Sequence, residues 1–194
     1  MKKITCFLFV LLLSAIYSIN ASANHSKFIN TWVGYAIPLN ESDIIGFVTP
    51  VIALKNDNTG SYSFLINANF KIDNKTSIDI KLAGNIPYKW TLDENNILVM
   101  HLDKDKFYMN ITDKCLKINT YNNDIETIFN LYKDELIRNL NITKESLYNG
   151  LPEYIEWTNA NIKKSKLYLT DSTGKTSTFT RGKTKKKNKT QKEN

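Results

Sequence analysis

The chain has almost no cysteine, histidine or arginine. Among its 194 residues only two are Cys and two are His. Cys6 lies in an apolar N-terminal run, which leaves Cys115 as the single thiol of the remaining chain. One thiol cannot form an internal disulfide, so stability has to come from a packed core, and Cys115 reads as a small buried residue. His25 and His101 are too far apart, and too few, for a metal site of His/Cys spacing or a Ser-His-Asp set. The seven glycines are scattered and form no phosphate loop. No metal, cofactor or catalytic residue is expected. A small hydrolase using paired carboxylates such as Glu153 and Glu156 is the enzyme alternative. Seven of the acids sit in turn sequences (Asp57, Asp73, Asp93, Glu94, Asp103, Asp105, Asp171), where backbone geometry accounts for them.

Long apolar runs are also lacking, with one exception. Lys2 and Lys3 precede an apolar stretch from Ile4 to Ile16, and Ala21-Ser22-Ala23 follows as a small-x-small site. This is the pattern of a secretory leader over 1–23. The apolar stretch is shorter than the roughly 20 residues a membrane span needs. The mature chain is expected to begin near Asn24 and to be exported, periplasmic or secreted, with no transmembrane span after leader removal.

The formal net charge is +7. Lys2, Lys3 and the terminal segment 183–194, with six lysines and one glutamate, account for all of it. The body from 24 to 182 is therefore neutral. A nucleic-acid-binding domain carries its excess charge on the folded surface, so no specific nucleic acid is expected. The 183–194 segment reads as a disordered basic tail with a capacity for anionic surfaces.

What the chain has in abundance is period two. In Tyr62, Phe64, Ile66, Ala68, Phe70 and Ile72 every second residue is apolar. The pattern recurs in Ile78, Ile80, Leu82, in Tyr88, Trp90, Leu92, and in Phe107, Met109, Ile111. Such alternation makes strands with one dry face. Strands are expected at Phe28–Ile37, Ile44–Leu54, 61–72 and 76–84, followed by a bend at Gly84–Pro87 and a short strand Tyr88–Leu92. Ile97–Leu102 and Lys106–Thr112 are expected to pair with each other. Pro50 cannot donate a ladder hydrogen bond and marks a bulge or edge.

The period then changes. Ile125, Ile128, Phe129, Tyr132, Leu136 and Leu140 repeat at three and four, the stripe of an amphipathic helix. Asn123 and Glu126 form a capping pair, and a second helical piece runs from Thr143 to Gly150. Strands resume at Tyr154–Thr158, Lys166–Leu169 and Ser177–Arg181. The expected fold is mainly β: an antiparallel up-and-down barrel of about eight to ten strands, spanning 24–182, with a helical insertion at about 121–149 before the terminal strands.

Asn30-Thr31-Trp32 in the first strand and Arg181 at the end of the last carry a family resemblance. The lipocalin-like (calycin) barrels begin with Gly-x-Trp and end with an arginine packed across that tryptophan. This chain resembles them at both ends and in layout, with Asn30 where the family has Gly. The resemblance implies a Trp32–Arg181 contact that closes the barrel base, and physics supports it, because a planar guanidinium stacks on an indole. The resemblance is one of fold and does not set function. The expectation of a binding protein for a small apolar or amphipathic ligand comes from the apolar inward face of the barrel. The candidate cavity lining is Tyr62, Phe64, Phe70, Tyr88, Trp90, His101, Phe107 and Met109. The alternative is a ligand-free envelope or interaction protein, with the barrel as scaffold and contacts through the helix or tail.

Overall fold

The computed structural model describes residues 25–41, 44–120 and 124–182. The expected leader, its cleavage site, Asn123 and the basic tail lie outside these residues. In chain order the strands are β1 (Asn30–Gly34), β2 (Ile37–Glu41), β3 (Ile44–Leu54), β4 (Thr59–Lys71), β5 (Thr76–Leu92), β6 (Leu98–Leu102), β7 (Tyr108–Met109), β8 (Leu116–Thr120), β9 (Tyr154–Trp157), β10 (Asn159–Lys163), β11 (Lys166–Thr170) and β12 (Thr176–Arg181). One long helix, α1 (Ile125–Gly150), stands between β8 and β9.

β5 is the spine. Over 17 residues its burial alternates, with Thr76, Ile78, Ile80, Leu82, Gly84, Ile86, Tyr88 and Trp90 on the dry face. The expected bend at Gly84–Pro87 does not occur. The Pro87 carbonyl accepts the Asp103 N–H at 2.8 Å, so its missing N–H would face that same side. On that side Pro87 falls between the residues paired with β6 and those paired with β7, where no ladder donor is needed. Pro50 occupies the same kind of gap in β3, between the segments paired with β1 and β2.

The sheet is antiparallel throughout and nearly closed. Its order is β10-β11-β12-β1-β3-β4-β5-β6-β9. Only Thr158 separates β9 from β10, so one kinked strand pairs with β6 by its first half and with β11 by its second. The expected barrel with a helix inserted before the last strands is therefore present. Its strands number twelve because several staves are split into collinear pieces.

β6, β7 and β8 show how. They do not pair with one another, as had been expected of Ile97–Leu102 and Lys106–Thr112. All three run along β5, one after another. Single 3-10 turns at Lys104–Lys106 and Asp113–Cys115 link them. Phe28 lies in a helical turn over 25–28 and not in the first strand. The helical insertion is one continuous helix of 26 residues, with no break near Thr143.

The long strands β3, β4 and β5 reach beyond the barrel and build a second core. Inside the barrel lie Trp32, Ile52, Tyr88, Trp90, Leu98, Met100, Leu167, Leu169 and Phe179. Beyond it, Ile78, Ile80, Leu82, Met109 and Leu116 are covered by Phe129, Tyr132, Leu136, Ile137 and Leu140 of α1. The helix thus packs its apolar stripe on the extended sheet, since an open sheet face has to bury its dry side. The last turn of α1 is held by Tyr148, whose ring stacks with Phe107 at 6.3 Å and lies 5.7 Å from the Lys104 ammonium. No described helix is long and apolar enough to cross a membrane.

Candidate functional site

The two cores divide the residues expected to line one cavity. Tyr88 and Trp90 are buried inside the barrel, with Tyr62 packed against them. Phe64, Phe70, Phe107 and Met109 belong to the core under α1. His101 is on neither: it is exposed, beside Tyr154 with ring centres 6.2 Å apart. The pairing of Tyr88 with Leu102 turns Leu98 and Met100 inward and His101 outward. Glu153 and Glu156 are also exposed.

Side chains occupy the barrel interior. Trp32, Trp90, Ile52, Leu98, Met100 and Leu169 are fully buried there. A barrel of about eight staves is just wide enough for its own side chains. Their polar atoms are satisfied locally. The Trp90 indole N–H donates to the Thr59 carbonyl at 3.1 Å, and the Tyr88 hydroxyl to the Ala53 carbonyl at 2.8 Å. Burial pushes the Tyr88 and Tyr62 phenols above their ordinary range. His25 stacks on Trp90 at 4.2 Å, and burial pushes its imidazole pKa down.

The Trp32–Arg181 contact is present. The two residues are cross-strand partners, and the guanidinium carbon lies 5.6 Å from the indole centre. The Trp32 indole N–H donates to the Phe28 carbonyl at 2.8 Å, which ties the N-terminal helical turn to the barrel. The Trp32–Arg181 contact spans the pairing of β1 with β12.

An apolar hollow lies elsewhere, between α1 and the extended sheet. Its volume is about 270 Å³. Ile44, Phe70 and Ile80 form its floor, and Tyr132, Leu136 and Leu140 form its wall. Register explains the floor. Ile44 and Phe70 are direct partners in one cross-strand row, while the next row pairs Gly46 with Ala68 and Ala68 with Ile80. Gly46 and Ala68 add little bulk there. The helix side of the mouth carries Glu135, Asn139 and Thr143.

Larger hollows are more open and more polar. One of about 590 Å³ surrounds the β4–β5 turn at Asp73–Lys75. Another, of about 510 Å³, is lined by Lys55, Lys89, His101 and Lys106. The hollow under α1 is the most enclosed and the most apolar of these, and joins an apolar lining to a few polar groups, the usual form of a small-molecule site. In the sequence Tyr132, Leu136 and Leu140 are visible as the stripe of an amphipathic helix and not as part of a binding site. The signal was their helical spacing; which rows of the sheet they would face was not in it. Among the described residues, no group of three or more His, Cys, Asp or Glu is placed to hold a metal ion.

Compared with known proteins, the chain matches no family model and no curated protein.

Proposed function

We propose that this is an exported, non-catalytic binding protein of lipocalin-like architecture. The barrel is its scaffold, and a small apolar or amphipathic ligand is held between α1 and the sheet. One observation carries this reading: the apolar hollow of about 270 Å³ under α1, beside a barrel whose interior is taken up by side chains. Its volume is near the lower end of the range for ligand pockets. The leader pattern over 1–23 supports export.

Native mass spectrometry of the mature protein from its own source, followed by extraction, tests the reading. A bound small molecule in stoichiometric amount is expected, on a chain beginning near Asn24. A clean apo mass, together with no response to apolar fluorescent probes, would overturn it. Leu136→Trp puts an indole into the hollow. It is expected to weaken binding of a neutral apolar probe at least about tenfold, through overpacking of the site, while far-UV circular dichroism stays unchanged.

A second reading has its own observation. Leu131 and Ile142 of α1 are 71% and 55% exposed. They would serve an interaction protein that docks a partner on the outer face of the helix. Leu131→Glu with Ile142→Lys would then abolish partner capture and leave probe binding intact.

A further inference from the structure

We infer that the ligand held under α1 is a single-chain amphiphile with a cationic head group. This rests on the reading of the hollow as the binding site. The polar groups at its mouth are Glu135, Asn139 and Thr143, four residues apart along one edge of the helix. An ionised Glu135 side chain is acceptor-only. The Thr143 hydroxyl already donates to the Asn139 carbonyl at 2.9 Å, so toward the hollow it offers lone pairs. Glu135 and Asn139 are exposed, and Glu135 has no ion pair among the described residues.

No lysine or arginine lines this hollow. The ion pairs of α1 involve Lys133, which lies 3.4 Å from Asp113 and 3.9 Å from Asp134. By contrast, the two larger hollows described above carry both signs, Lys71 and Lys75 with Asp73 in one, and Lys55, Lys89 and Lys106 with Asp103 in the other. The apolar lining and the unpaired carboxylate therefore coincide at one place. An alkyl chain fits between Phe70, Ile80 and Leu136, and its head emerges beside Glu135. A carboxylate or sulfate head would meet like charge there. An ammonium head gains one partly screened ion pair, worth up to about fivefold in affinity at an exposed site.

Three amphiphiles with the same decyl chain test this on the mature full-length protein: decyltrimethylammonium, decyl maltoside and decanoate. Each displaces the neutral probe N-phenyl-1-naphthylamine below its micelle concentration. The cation is expected to bind tightest, about fivefold better than the maltoside, and decanoate weakest. High salt should narrow the order, because exposed charges are screened. Glu135→Gln should bring the three affinities together. Decanoate binding as well as the cation, or an order that survives Glu135→Gln, overturns the head-group inference while the pocket stands. If Leu136→Trp leaves all three affinities unaltered, the pocket reading itself falls.

Discussion

Trp90→Ala is expected to destabilise the protein by about 3–5 kcal/mol, the cost of deleting a large aromatic from a packed core. Trp90 is fully buried at the centre of the barrel. Its ring face supports His25, and its indole N–H satisfies the Thr59 carbonyl. The substitution removes apolar burial, opens a cavity and deletes one hydrogen bond in one step, although the Thr59 carbonyl keeps the Lys55 N–H. Domains of this size hold only about 5–15 kcal/mol in total, so the variant sits near the edge of unfolding. Urea denaturation, with the midpoint and slope both fitted, measures the loss. Trp157→Phe supplies the contrast. The Trp157 indole N–H is buried with no hydrogen-bond partner. Phenylalanine retains most of the ring and removes an unsatisfied donor, so a change within about 1 kcal/mol is expected. If Trp90→Ala cost no more than Trp157→Phe, the barrel interior would not be the close-packed core described above.

The difference between these two tryptophans was not legible in the sequence, although much of the fold was. Tyr88, Trp90 and the residues before them announce β5 by strict alternation, and the helix shows itself in Phe129, Tyr132, Leu136 and Leu140. Alternation says which residues share a face. It does not say that one face serves two cores, because that depends on how far β3, β4 and β5 run past the barrel. Pro87 suggested a bend for a sound local reason, but the gap between β6 and β7 removes the need for its N–H. His101 was misplaced because Ile97, Leu98, Val99 and Met100 are all apolar, so polarity cannot fix parity there. Register with β5 fixes it, and a slip of one residue would exchange the two faces. The candidate site follows the same rule. Its helical wall was visible as a stripe, while its floor is made by cross-strand rows that only the paired sheet defines. Glu135 had no signal at all: an exposed acid on a helix acquires meaning only from the hollow beside it.

Gly60→Ala is expected to cost about 3 kcal/mol, by overpacking plus a lost hydrogen bond, although it adds only one methyl group. A Cβ at Gly60 would collide with the Ala53 carbonyl oxygen and with the Tyr88 ring. Gly60 and Tyr88 are cross-strand partners, and the ring extends over Gly60 so that its hydroxyl reaches Ala53 on β3. One side chain of β5 thereby crosses β4 and bonds the strand beyond it. Alanine at 60 has to displace both the ring and the β3 backbone. At Gly84 the nearest atoms to an added Cβ all belong to the Phe64 ring, a side chain and not backbone, so Gly84→Ala is expected to cost less. Tyr88→Phe removes the hydrogen bond alone, for about 1 kcal/mol. Because Gly60→Ala breaks that same bond, the double variant should fall short of additivity. Thermal melts of the four proteins decide this, and a Gly60→Ala variant that melts with the parent would remove the clamp. The same variant bears on function. The clamp belongs to the barrel, and the hollow lies on the other half of β4. Gly60→Ala should therefore lower stability while the folded protein keeps its affinity for a neutral probe. Leu136→Trp should do the reverse, and a barrel that serves as scaffold requires that the two effects separate in this way.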